Sequence, residues 1–484
     1  MDSPARLTPN SRLRLFVVAA LVAAGVAIES QVPRLLAARA RPTVADVIWP
    51  GDLYWRLSRG LTVYTDEAPS LQRLARDLEE RALASYERHA ADRDVGTYCQ
   101  YRAAIAYGRR GYREEAGLIL DRLQREDPPR ARLYQALAAT YGPGAWHAGL
   151  TALHSELARQ PRWLQHLTGP DFLSRAGLAD GATRARHLAD RADRAFLGRW
   201  LVVTGIFGVL AQLGLALVLA WLIAALLGTR LCPVPLPMGG LRWSLLDVAE
   251  VLALLAFLVP ALGLLTQVAR AGLHGAALSS RDALLPLVAQ YVLSICFPLG
   301  LLWYRAGRFE LPRLALGLTW RDPRRTAATS LAALGLGTVV AMAVRGWPLP
   351  VDFQAGALQP ALGAARSWGA VLVVVLLMCV VAPVAEETIF RGFLYGHLRR
   401  SIGLVPIPAA LLSGLVFALM HAQAWESLRL STSVLYLVAP LGMAAIGALC
   451  ALAFESSGSL VPAILLHGLW NLQVIIIPLL LVKS

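Results

Sequence analysis

Two adjacent glutamates, an arginine, two histidines and an asparagine lie within apolar stretches near the C-terminus, at spacings that suit hydrolysis. In APVAEETIFRGFLYGHLRR (382–400) stand Glu386, Glu387 and Arg391. At about 100° per residue, Glu387 and Arg391 fall one above the other on a helix and can pair, whereas Glu386 is turned about 140° from Arg391. Glu387 is therefore expected to be held, and Glu386 to be free for general-base work. The segment LVFALMHAQ (415–423) puts Phe417 and His421 on one helical stripe, and HGLWN does the same for His467 and Asn471. Imidazole and amide N–H groups are the donors a developing oxyanion needs. Polar groups of this kind are costly inside an apolar span, which marks them as functional.

Positioning them is a matter of helix rise. From Glu386 to Arg400 a helix climbs about 21 Å, a turn at SIGLV reverses the chain, and a return of similar length brings His421 level with Glu386 on an antiparallel neighbour. The same counting does not bring in His467, which stands near the start of its span while His421 stands near the end of its own. They meet only if the His421 helix continues into AQAWESLRL or if the segment 434–454 tilts or breaks. Glu250, beside Asp247 at the start of another span, reads as a wetted helix end.

Apolar segments at about 200–227, 246–267, 284–304, 327–345, 367–390, 405–424, 434–454 and 460–481 each have the length to cross a hydrocarbon core. The fold class expected is all-α: a polytopic transmembrane bundle of about eight spans over 198–484, preceded by an N-terminal segment, 1–41. In that segment the run Leu13–Ile28 follows Arg6, Arg12 and Arg14 and suits a signal peptide cleaved after Ala27 or, preferably, an uncleaved anchor. The arginines of the loop 305–326 mark it as cytoplasmic. Counting spans from it places residues 42–197 outside and the N-terminal arginines inside.

The 484 residues carry a net charge of +14 and are 56% hydrophobic, too apolar for an ordinary soluble protein. Charge is uneven: residues 51–199 hold 23 Arg and 19 acidic residues, a balance of +4, and the remaining +10 lies mostly in loops. The basic residues are scattered and not interleaved with aromatics, which sets nucleic acid aside as a partner. Cys99, Cys232, Cys296, Cys379 and Cys450 are far apart and form neither a disulfide framework nor a CxxC metal site. Residues 42–197 read as a helical domain in which Ala104, Tyr107, Gly111, Ala116, Leu120, Leu123 and Pro128 outline one tetratricopeptide-type hairpin. The expected role is binding a peptide or protein, with a plain helical spacer as the alternative.

Glu386-Glu387-x-x-x-Arg391, Phe417-x-x-x-His421 and His467-x-x-x-Asn471, in that order on three late spans, resemble the signature of the CPBP family: type II CAAX prenyl endopeptidases together with the bacteriocin self-immunity (Abi) proteins. The close resemblance covers about 367–482, and residues 42–195 stand outside it. It implies an intramembrane endopeptidase acting on membrane-anchored protein or peptide substrates, with a site expected to open to the cytoplasm; the Arg-rich, Lys-poor composition points to a bacterium and so to the plasma membrane. Glu386 and His421 would activate water, His467 and Asn471 would stabilise the oxyanion, and Glu387, Arg391 and Phe417 would support them. No cofactor is expected. The alternative is Zn²⁺ on Glu386, His421 and His467 with water as fourth ligand, although HExxH is absent. A non-catalytic immunity or scaffold protein of the same fold is the competing reading, and a transporter using these groups as a proton relay is a third.

Overall fold

The computed structural model describes residues 9–37, 50–64, 69–91, 96–144, 154–160, 162–226, 243–272, 280–307, 316–318, 322–345, 368–421 and 438–482. Among them the regular structure is helical throughout and contains no strand, so the chain is an all-α protein with long apolar helices. It divides into two compact units: a charged one centred on 41–205 and an apolar one built from 1–40, 206–347 and 356–475.

In the charged unit, helices Gly96–Arg109 and Arg113–Glu126 form the expected hairpin. Ala104 and Ala116 are fully buried, and the turn passes through Gly111 at φ +91°, a conformation that costs a side chain with a Cβ but not glycine. Leu120 and Leu123 complete the buried stripe. Behind the hairpin lies a buried polar cluster. Asp52 accepts from Tyr86, Tyr98 and, at 3.2 Å, from Arg102 Nε. The Arg102 guanidinium lies over the rings of Tyr98, Tyr101 and Trp163 at 4.3, 4.7 and 4.7 Å.

Three helices are long and apolar enough to cross a membrane among the described residues: Ala179–Leu217, Leu245–Leu265 and Gly369–Arg400. Leu13–Ile28, Pro406–Leu419 and Leu441–Ser457 are apolar but shorter. The N-terminal helix runs Pro9–Ala37, past Glu29, where the apolar run ends. It packs on helix Leu245–Gly272, with Gly25 so close that a Cβ there would lie 2.4 Å from the Ala256 carbonyl oxygen. Arg14 pairs with Glu250 and, at 2.8 Å, with Asp247, and Arg305 reaches Glu250 at 2.6 Å. Glu250 is therefore not the wetted helix end its position suggested. It is one member of a clamp between two carboxylates and two arginines.

The glutamate helix is not a plain α-helix. It opens at Trp368–Leu376, widens to π-helical turns at Leu377–Val381, returns to α at Ala382–Glu387, and is π-helical again over Thr388–Tyr395 and Leu398–Ile402. Widened turns of this kind concentrate at functional sites. Gly403, left-handed at φ +82°, ends the helix, and Pro406 opens the next, where its missing N–H costs nothing. That next helix crosses Val438–Ser457 at Gly414, where a Cβ would meet the Ala444 carbonyl oxygen at 2.3 Å. Small residues at such crossings let backbones approach closely where lipid gives no hydrophobic push. Around the crossing, Phe390 meets Phe417 edge-on at 5.1 Å, and Trp243 meets Phe393 at 4.6 Å.

Candidate active site

Helical spacing places Glu387 and Arg391 together as expected: Arg391 Nε and Glu387 Oε2 face each other at 3.0 Å, both side chains fully buried. The pairing survives the π-helical turns that begin at Thr388. Arg391 Nη2 also donates to the Gly447 carbonyl at 3.1 Å, and its guanidinium lies 4.6 Å from the Phe417 ring centre. Glu387 spends its other oxygen on His467 Nδ1 at 2.8 Å. The two buried charges thus hold an imidazole as well as one another.

Glu386, less buried than its neighbour, points to two rings. Its Oε2 stands 3.7 Å from His467 Nε2 and 3.9 Å from His421 Nε2. The depth count that put His421 level with Glu386 therefore holds. His467 joins them although counting could not bring it there. The reason is the crossing beside it: at Gly468 a Cβ would stand 2.4 Å from the Cys379 carbonyl oxygen, so helix Val461–Val482 lies directly against the π-helical turn at Leu377–Val381. The helix of His421 ends at Leu419, and His421 lies just beyond it. Residues 422–437, where continuation of that helix was one expected route, lie outside the described residues.

Hydrogen-bond partners assign the ring protons. His421 Nδ1 lies 2.8 Å from the Phe417 carbonyl, which only accepts, so Nδ1 carries the hydrogen and the neutral ring offers a bare Nε2. Glu387 assigns His467 in the same way. Three acceptors, two Nε2 atoms and Glu386 Oε2, thus converge beyond direct hydrogen-bond distance. Such a set binds a hydrogen-bearing group that its members share. Phe417 forms the wall: its ring lies 4.5 Å from that of His421 and 5.4 Å, edge-on, from that of His467.

Asn471, expected beside the oxyanion, donates Nδ2 to the Met378 carbonyl at 2.8 Å. One of its two N–H groups is thereby committed to the π-helical turn. The carbonyls of Met378 and Gly447 are parts of the site that sequence reasoning missed, because no side-chain pattern marks a backbone acceptor. It also missed Glu455, which accepts from Tyr395 at 2.8 Å and from Arg399 Nη2 at 2.7 Å; beside Ser456 and Ser457 it reads as a loop residue. An apolar cavity of about 440 Å³ bordered by Val384 and Thr388 lies near the site. Those residues sit two positions either side of Glu386, roughly on the opposite flank of the helix, so the cavity is not the cleft that Glu386 faces.

The donor set Glu386, His421 and His467 suits zinc in kind. Donors each about 2 Å from a tetrahedral ion stand about 3.3 Å apart, whereas these stand 3.7 and 3.9 Å apart. Among the described residues no group of three or more His, Cys, Asp or Glu has metal-holding geometry. The spacing does not fit the ion, and no step below passes through one.

Residues 367–473 match a family model described as type II CAAX prenyl endopeptidase Rce1-like. The matched stretch holds every motif residue from Glu386 to Asn471 and none of the charged unit. No curated protein and no solved structure matches the chain. The match supports the CPBP and CAAX-protease resemblance and, in general terms, a CAAX-type intramembrane protease activity; with the apolar helices it marks a membrane protein.

Proposed function

We propose that the protein is a glutamate-type intramembrane endopeptidase that hydrolyses peptide bonds of membrane-anchored proteins. The observation that carries this reading is the convergence of His421 Nε2 and His467 Nε2 on Glu386 Oε2, at 3.9 and 3.7 Å. A water there gives its proton to the Glu386 carboxylate as its oxygen attacks the scissile carbonyl carbon, with His421 as a second acceptor that orients it. The tetrahedral oxyanion is met by the second Asn471 N–H and by His467 Nε2, which takes a proton from solvent before the attack and returns it to solvent after the products leave. Glu387 fixes the orientation of that ring, because its carboxylate sits on Nδ1. The proton on Glu386 passes to the departing amine, and the C–N bond breaks. No metal takes part.

The eight-span arrangement, with residues 42–197 outside and the site open to the cytoplasm, belongs to the same proposal. Its support is the clamp, which brings together Arg14, Asp247, Glu250 and Arg305, all of them assigned to the cytoplasmic side by charge counting. The charged unit is proposed to bind a protein or peptide through its helical hairpins. The decisive experiment compares full-length wild type with Glu386→Gln in vesicles, using a membrane-anchored peptide library. Cleavage by wild type alone supports the assignment. Equal cleavage by both ends it, and cleavage by neither returns the chain to the immunity or scaffold reading.

A further inference from the structure

Donors are scarce at this site. His467 commits its Nδ1–H to Glu387, Asn471 commits one amide N–H to Met378, and His421 commits its Nδ1–H to Phe417. Acceptors converge on the water, yet the oxyanion that follows needs hydrogen donors. A neutral O–H is available on a helix that packs on the glutamate helix and lies outside the 367–473 match. On helix Ser280–Ala306, residues Tyr291, Ile295 and Leu299 form one stripe at four-residue intervals, and that stripe packs against Ala382 and Ala385 of the glutamate helix. Glu386 follows Ala385 directly and lies one turn beyond Ala382, so the stripe packs on the face that carries the working carboxylate. Glu386 is also the charge that acts on the Tyr291 phenol.

We infer that Tyr291 is a further functional residue of the site: its phenol O–H donates to the substrate carbonyl as that oxygen becomes an oxyanion, alongside Asn471 and His467. This inference rests on the proposed hydrolytic reading. A phenol suits the task because it is neutral, gives one directional O–H and brings no charge into lipid. The proton is not transferred; it is shared with the oxyanion and kept by the phenol when the intermediate collapses. Prolines at 286 and 298 lie in the same helix, and each removes a backbone hydrogen bond where the helix must fit the glutamate helix.

Tyr291→Phe tests this, since it keeps the ring on Ala382 and Ala385 and removes only the hydroxyl. In the full-length protein in vesicles, kcat should fall about 100-fold with KM unchanged, the cost of one oxyanion donor. Affinity for a peptide phosphonamidate, whose tetrahedral anionic phosphorus group imitates the intermediate, should fall by a similar factor. Binding of uncleaved substrate, read in the Glu386→Gln background with and without the second change, should stay the same. An unchanged kcat overturns the inference, as does an equal loss of substrate and phosphonamidate binding, which would make Tyr291 a packing residue. Failure of the hydrolytic reading shows separately, as cleavage that persists in Glu386→Gln alone.

Discussion

Each unit of this protein buries a charged cluster, and the two clusters are built differently. In the charged unit, Asp52 is met by two phenols and a guanidinium, and the guanidinium is enclosed by aromatic rings. In the apolar unit, Glu387 is likewise paired with a guanidinium, but Glu386 is not: its Oε2 stands 3.7 and 3.9 Å from two imidazole nitrogens. Burial of charge therefore does not distinguish a structural cluster from a working one. What distinguishes them is the partner of the carboxylate. Asp52 sits against a guanidinium, and Glu386 faces two imidazoles beyond hydrogen-bond distance.

The comparison breaks if the two clusters respond alike to loss of a carboxylate. Glu386→Gln should lower turnover by about 10³-fold or more, the upper range for a general base, and leave the unfolding temperature of the full chain within a degree or two. Asp52→Asn should do the reverse: turnover on short membrane peptides is kept, while the charged unit loses about 3–5 kcal/mol because Arg102 stays buried without its counter-charge. Limited proteolysis of that unit reads this out. Arg391→Met stands between them, because removing it leaves Glu387 unpaired and His467 less firmly held. Both activity and stability should fall, the latter by about 3–5 kcal/mol.

Much of this was readable from residue types. The Glu387–Arg391 pair and the level placement of Glu386 and His421 follow from helix repeat and rise, and the structure keeps both. His467 was not readable, because its approach depends on a π-helical turn and on contact at Gly468, neither of which counting reveals. The Arg14–Glu250 pair was hidden for a different reason: its partners lie 236 positions apart, and nothing local announces them. Helical character was legible across the described residues; the π-helical turns and the helix lengths were less so. The segment near 405–424, for example, holds Pro406–Leu419, shorter than a full span among the described residues.

Two smaller effects sharpen the contrast. Burial above all, with the Asp52 charge in support, holds the Tyr86 and Tyr98 phenols well above the ordinary tyrosine range. Folded, they keep their protons at pH values where unfolded tyrosines lose them. This stabilisation is complete below about pH 10, the unfolded value, and is lost as pH climbs beyond it toward the folded values. The part of the tyrosinate absorbance that is absent from a Tyr86→Phe/Tyr98→Phe variant should appear only with unfolding. The smallest effect is the one expected of a chelator at the Glu386 cluster: no change in cleavage rate. Loss of cleavage on chelation, restored by Zn²⁺, would reopen the zinc reading of Glu386, His421 and His467.

The clamp at Arg14 bears on how the protein is made. The first helix leaves the ribosome long before Asp247 and Glu250 exist, so for much of synthesis its arginine has no counter-charge from them. Once helix Leu245–Gly272 arrives, the pair locks, and Gly25 lies in the contact with Ala256. Cleavage after Ala27 would remove both the arginine and that contact. Docking of the first helix therefore waits on partners more than 230 positions further along the chain.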